Sequence, residues 1–337
     1  MSSRGDAFPP KRSPIREVEI ASQKPLAMTS YVYEGRFNMK LGLRSSQEVV
    51  TVNVEERSLR LLTVKEGKVQ KWGQVPLGPG LVENGLIRDP VQVGSAIEAL
   101  FEEQEAPKKG VITSLTVIGL GSTSQIFDLP KMKPSMLADA IGREARRAMP
   151  VPVDELYLSH QVIGEKGDMQ QVYVLGAPRD IVDAHITAFQ LAGVQLKAMD
   201  LKPFALVRAI NRRNAVIADL ENENFHVIVV ADAIPDITRS AVLHGESLDP
   251  QQKAHRLVEE LTRTIDFYNH SHPNERLEPT VPVFLTGELP DIPTVYEIIQ
   301  AEIGYSIETP TPPLECPKAL PLPQFMANIG LALKKEA

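Results

Sequence analysis

A chain of 337 residues is long enough for two compact units with separate apolar cores, and 43% apolar with 23% charged residues describe an ordinary soluble protein. The net charge of −7 argues against non-specific nucleic-acid binding, which rests on clustered Lys and Arg. One cysteine, Cys316, excludes an internal disulfide; no apolar run approaches the roughly 20 residues that span a bilayer and no signal-peptide pattern opens the chain, so a cytoplasmic location is expected.

Charge is uneven along the chain. Residues 1–47 hold eight basic and four acidic side chains, +4, which leaves −11 for the rest. This Pro-, Ser- and charge-rich segment lacks periodicity and reads as a disordered basic tail, for which a plain solvated arm is favoured over an arm that seeks an anionic membrane surface. From Val49, VVTVNVEERSLRLLTVKEGKVQKWGQVPL alternates apolar and polar residues around Glu55-Glu56-Arg57 and Glu66-Gly67-Lys68, the pattern of consecutive hairpin strands. Asp89-Pro90 opens a helix with Val93, Ile97 and Leu100 on one face. LTVIGL and QIFDLP read as strands flanking Gly121-Ser122-Thr123.

A helix from about Pro134 to Met149 carries Leu137, Ile141, Ala145 and Ala148 on one stripe and stops at Pro150 and Pro152. Arg143, Arg146 and Arg147 share its opposite face, where they are either plainly solvated or the border of a peptide groove. VDELYLSHQVIGEKGDMQQVYVLGAP reads as a hairpin turning at Glu165-Lys166-Gly167-Asp168, and a helix then runs from near Pro178 to Gly193, burying Val182, Ile186 and Phe189. Strands follow at 215–219 and 225–231. Between Ala241 and Leu257 the text is short and polar, and a helix over 254–268 places Leu257, Leu261, Ile265 and Tyr268 together. VPVFLTGEL is a buried strand leading into a helix with Val295, Ile298, Ile299 and Ile303; a Pro-rich loop over 309–323 and a short helix end the chain. Interleaved strands and helices predict a mixed α/β fold, and the strand–corner–strand at 49–64 recurs in kind at 215–230.

Other chemistry-bearing patterns are weak. Gly119 and Gly121 make no full dinucleotide loop, and His270-Ser271-His272 reads as a solvated turn before Pro273. The acid pairs Glu102-Glu103 and Glu259-Glu260 read as solvated helix faces, and no nucleophile–base motif is present.

In order and spacing the segments VENGLIRDPVQVGSAIEAL, REARRAMPVPVDELYLSHQVIG, RDIVDAHITAFQLAGVQLKAMDLKPFALVRAI, VEELTRTIDFYNHSHP and FMANIGLALK resemble the PilM family, actin-like proteins of type IV pilus assembly related to the division protein FtsA. The resemblance covers about residues 48–337. It implies a first lobe (48–125, resumed at 199–213), an inserted small α/β subdomain (126–198), a reduced second lobe lacking most of its helical subdomain (214–308), and a Pro-rich loop with a last helix (309–337).

The departures from the family pattern concern nucleotide binding. The first phosphate turn reads Asn53-Val54-Glu55-Glu56, with Arg60 where the family often has Lys. The second keeps Asp219 but has Glu221 for Gly and Phe225 near a Thr position; the adenine-side motif reads Leu285-Thr286-Gly287-Glu288-Leu289. A carboxylate about 4 Å from a phosphate charge costs about 1 kcal/mol in water and about 4 kcal/mol at an effective dielectric of 20. The resemblance with these departures therefore implies a pseudo-ATPase: no ATP or Mg²⁺ cofactor, no resident metal, no catalytic residue. It further implies a scaffold whose groove between first lobe and inserted subdomain, bordered by position by Pro150, Pro152 and Val153, takes the cytoplasmic N-terminal peptide of a PilN-like membrane protein. Pilus motor or platform components and further copies of the chain are additional expected partners, nucleic acid is not, and the membrane is reached only through a partner. The competing readings are an active ATP-binding ATPase and an FtsA-like membrane-associated filament protein.

Overall fold

The computed structural model describes residues 27–28, 48–117, 123–242 and 248–334. A strand of two residues, β1 (Ala27–Met28), comes first, then the meander β2 (Val49–Val54), β3 (Ser58–Lys65) and β4 (Lys68–Pro76), whose second turn sits on Glu66 and Gly67 in the left-handed region. A small hairpin of β5 (Val82–Glu83) and β6 (Leu86–Ile87), helix α1 (Pro90–Glu103) and β7 (Lys109–Leu115) follow. The Asp89 side chain accepts the Val91 and Gln92 N–H groups, so the predicted cap starts α1 as its chemistry requires. The inserted unit consists of β8 (Thr123–Pro130), α2 (Pro134–Ala148), β9 (Leu156–Lys166) and β10 (Met169–Pro178). The chain then returns through α3 (Arg179–Leu191), β11 (Gln195–Leu201) and α4 (Lys202–Ile210). The second lobe holds β12 (Ala215–Leu220), β13 (Asn224–Ala231), β14 (Ile234–Val242), α5 (Pro250–Ser271), β15 (Val283–Gly287), α6 (Pro293–Glu302) and β16 (Ile307–Glu308), before α7 (Leu322–Ala332).

Both lobes are built on one plan. From its meander edge the first sheet runs β4-β3-β2-β7-β11, with β1 added outside β11; the second runs β14-β13-β12-β15-β16. In each, a three-strand antiparallel meander is followed by two parallel strands. The echo seen in sequence is thus a duplicated sheet.

Strand periodicity explains the layers. Val216 and Ala218 of β12 face α5 and α6, packing with Leu257, Leu261, Ile265, Val295 and Ile299. Ile217, between them, points to the other side and joins Leu62 and Val64 of the first lobe, Leu206 and Ile210 of α4, and Phe325, Met326 and Ile329 of α7. Helices α4 and α7 are therefore sandwiched between the two sheets in one core that both lobes share. On the far side of the first sheet, Val50, Val52, Leu59 and Leu61 pack against Val93, Ile97 and Leu100 of α1 and Phe189 of α3. The three-stranded sheet β8-β10-β9 has its own core with Leu137, Ile141 and Ala145 of α2.

Several boundaries differ from expectation. The strand read at LTVIGL lies earlier, at β7, and Gly119 and Gly121 fall outside the described residues. The inserted unit was expected to run to 198, but α3 packs on α1 and β11 pairs in parallel with β7, which makes both part of the first lobe. The polar text before Leu257 is not loop throughout: an Asp249–Gln252 capping box starts α5 at Pro250. Strand β14 was not anticipated. Of the tail expected to be disordered, Ala27–Met28 pair with Ala198 and Met199 as an edge strand, and the rest of 1–47 lies outside the described residues.

Helix α7 approaches α4 so closely that a Cβ on Gly330 would lie 1.7 Å from the Ala205 carbonyl oxygen. Gly330→Ala is expected to lower the unfolding free energy by about 3 kcal/mol, because backbone must move rather than a side chain; chemical denaturation checks this, and a change below about 1 kcal/mol would contradict the packing.

Candidate functional site

The carboxyl ends of β2, β12 and β15 converge where the two lobes meet, the position at which open α/β sheets receive ligands. Three corners arrive there: Glu55–Arg57 after β2, Glu221–Glu223 after β12, and Gly287-Glu288 where β15 ends. Gly287 has φ +91°, and a Cβ would lie 2.2 Å from the Leu220 carbonyl oxygen, so glycine is required at this position by backbone packing alone.

Six predicted residues, Asn53, Glu55, Asp219, Glu221, Gly287 and Glu288, are brought together, and two cations lie among them. Arg60, inward-facing on β3 and fully buried, donates from Nη1 and Nη2 to the two oxygens of Glu221, each at 2.8 Å. Its Nη2 also donates to Glu288 Oε1 at 2.7 Å, and its Nη1 to the Gln324 carbonyl at 3.2 Å. Lys202, the first residue of α4, is equally buried and pairs with Glu55, with Asp219 Oδ2 at 2.6 Å and with Glu221 Oε1 at 3.5 Å. Neutral donors complete the set. Asn53 Nδ2 donates to Glu55 Oε1 at 2.8 Å and the Thr286 hydroxyl to Asp219 at 2.7 Å; Glu288 accepts from Gln74 at 3.0 Å, from Ser58 at 3.3 Å and from Asn222. Asn328 of α7 donates to the Arg60 carbonyl at 2.9 Å, fixing the strand that carries the guanidinium.

The electrostatics follow from burial and count: four carboxylates surround two cations. Burial pushes the Glu55 carboxyl up to about 7 against the pull of Lys202, and its Oε2 has no hydrogen-bond partner among the described residues. Burial would likewise raise Asp219, but Lys202 and the hydrogen bond from the Thr286 hydroxyl hold it below its ordinary range. For Lys202 burial acts downward, and Asp219, Glu55 and Glu221 reverse it, so the ammonium is held above its ordinary value. Burial lowers His226 to about 4, leaving it neutral beside the network.

These residues do not fit a nucleoside triphosphate. The crevice among Glu55, Ser58, Glu221, Asn222 and Glu288 has a volume of about 10 Å³, room for about one water molecule. Both buried cations are already engaged by the chain's own carboxylates, so an entering phosphate would meet negative charge at each corner. Beside the second corner, Leu220, Phe225, Ala254, Leu257 and Leu289 close on one another, and residues 243–249 alone separate β14 from α5. Among the described residues no group of three or more His, Cys, Asp or Glu is arranged to hold a metal.

Sequence reading noted Arg60 only as a replacement and missed Lys202 and Asn328. A signal existed for Lys202: a cation in the first turn of a helix opposes the helix dipole and points to an acidic partner.

The second candidate region is a groove of about 660 Å³ between the β5–β6 hairpin and the inserted unit, lined among others by Leu86, Val151, Asp154, Glu155, Leu156 and Ile181. Pro150, Pro152 and Val153 alternate with or flank its lining residues without forming its wall. Arg143, Arg146 and Arg147 are exposed on α2 and line none of it; Arg147 pairs with Glu144 at 3.2 Å and Arg146 lies 3.9 Å from Asp154.

The family model of the type IV pilus assembly protein PilM matches residues 45–248. Among solved structures, a PilM–PilN type IV pilus biogenesis complex aligns with TM-score 0.68 at 21% identity, covering 86% of this chain and 98% of that one. The ethanolamine utilization protein EutJ from Carboxydothermus hydrogenoformans aligns with TM-score 0.51 at 13% identity, covering 85% and 89%. No curated protein matches the chain. The fold is the actin-like two-lobed α/β fold.

Glu55 binds its proton more tightly in the folded chain than at its ordinary value of 4.5, so its contribution to stability is present at low pH and lost as pH rises toward about 7. The unfolding free energy of the wild type minus that of Glu55→Gln is expected to fall between those two values and stay constant above; a difference that is flat throughout contradicts the assignment.

Proposed function

The chain belongs to the family of the type IV pilus assembly protein PilM, and from that premise we propose that it is a non-catalytic cytoplasmic scaffold of a type IV pilus or related machine. It captures the cytoplasmic N-terminal peptide of a PilN-like inner-membrane protein and is held at the membrane through that partner. The observation that carries this reading is the buried network of Arg60 and Lys202 with Glu55, Asp219, Glu221 and Glu288 at the meeting point of the lobes.

In a nucleotide-driven protein of this architecture, phosphates and a metal ion would supply the charges that draw the lobes together. Here the chain supplies both signs itself. Removing one partner of such a network strands a buried charge at a cost of about 3–5 kcal/mol, so lobe closure is a fixed property and not a step in a cycle. What stays available is the groove between first lobe and inserted unit, whose volume lies within the roughly 300–1,000 Å³ of ligand pockets. Reaching the membrane through a partner agrees with the absence, among the described residues, of a helix long and apolar enough to cross it.

Calorimetric titration with Mg-ATP is expected to give no binding tighter than about 1 mM, and the immobilised cytoplasmic peptide of a PilN-like protein to retain the chain. Micromolar nucleotide binding would overturn the non-catalytic reading; failure of the peptide to retain the chain would overturn the capture reading.

A further inference from the structure

The groove between the β5–β6 hairpin and the inserted unit has an apolar floor and an acidic rim. Leu156 and Ile181 form its buried base, with Leu86 and Val151 half-buried beside them. Around them stand Glu83, Asp154, Glu155 and Asp180 against only Arg88 and Arg179. Both arginines are partly engaged within the chain. Arg88 Nε pairs with Glu83 Oε2 at 3.1 Å, and the Arg179 guanidinium is stacked over the Tyr157 ring at 4.1 Å from its centre. Asp154 keeps a 92% exposed side chain with its nearest cation, Arg146, 3.9 Å away. Asp180 spends one oxygen on the Ile181 N–H at 2.8 Å and remains exposed at the start of α3.

We propose that this groove selects a basic, amphipathic segment: apolar side chains seat on Leu86, Val151, Leu156 and Ile181 while Lys or Arg side chains face Asp154, Glu155 and Asp180. The inference rests on the peptide-capture reading and adds the sign of the partner's charge. An acidic segment would bring carboxylates against a rim whose net charge is negative. Of the basic face of α2, Arg146 reaches the rim at 3.9 Å from Asp154, while Arg143 and Arg147 line no part of the groove, so Glu155 and Asp180 carry most of the preference.

The test uses the full chain and two labelled synthetic peptides that share the same apolar residues, one interspersed with Lys and Arg, the other with Asp and Glu. By fluorescence anisotropy at low salt the basic peptide binds roughly tenfold tighter, as two or three exposed charge pairs allow, and the preference shrinks at about 0.5 M salt. The exposed double substitution Glu155→Lys with Asp180→Lys reverses the preference. Glu102→Lys, which shifts charge in the same direction on distant α1, does not reverse it and separates the groove from the overall charge of −7. Equal binding of the two peptides, or a preference that survives the double substitution, overturns the proposal. If a PilN-like peptide binds wild type and double variant alike, capture stands and the charge rule falls; if no peptide binds, both fall.

Discussion

The bidentate ion pair between Arg60 of the first lobe and Glu221 of the second is the constraint on which the rest of the molecule turns. Two full charges are taken out of water across the line where the lobes meet, and their mutual attraction offsets that loss only because both guanidinium nitrogens find oxygens at hydrogen-bond distance. Such a pair adds little net stability compared with well-packed apolar residues. What it adds is specificity of arrangement, since any displacement of one lobe leaves a buried charge without its partner. Lys202 repeats the logic from the helix between the lobes, touching Glu55 on one side and Asp219 on the other.

This constraint separates two regions that the fold places side by side. The cleft at the sheet ends is filled by the chain's own side chains, and the shared core of α4 and α7 keeps the sheets from swinging apart. The groove at the inserted unit shares no lining residue with the crevice of that network, although its Asn84 N–H donates to Glu56 of the first corner at 2.8 Å; it is lined by residues of the hairpin, the start of β9 and the start of α3, and stays open. On the proposed scaffold reading, a cleft filled by the chain's own side chains presents the groove in one geometry, and a preorganised surface loses less entropy on binding.

Much of the fold was legible because its signals are local. Asp89-Pro90 and the period of Val93, Ile97 and Leu100 set α1, and the alternation from Val49 onward set the first meander. What escaped lacked local contrast. Strand β14 contains Pro235 and stands half-exposed at a sheet edge, so it shows little alternation. Strand β7 begins with Lys109-Gly110, less strand-like than the LTVIGL text just after it. The first turns of α5 are solvent-facing and read as loop, although Asp249 and Gln252 carried the capping signal. At the site, the acidic replacements could be read from the corner positions, but not what balances them. Arg60 and Glu221 are 161 residues apart, and no spacing in the sequence joins them.

The account is tested most directly by a double-mutant cycle on that pair, with unfolding free energies measured for Arg60→Met, Glu221→Leu and the double variant. The account predicts that each single change costs about 3–5 kcal/mol and that the double costs less than their sum by about 2 kcal/mol or more, because the second change removes the charge stranded by the first. Costs that simply add would contradict it, and would mean that Arg60 and Glu221 are not coupled across the line where the lobes meet.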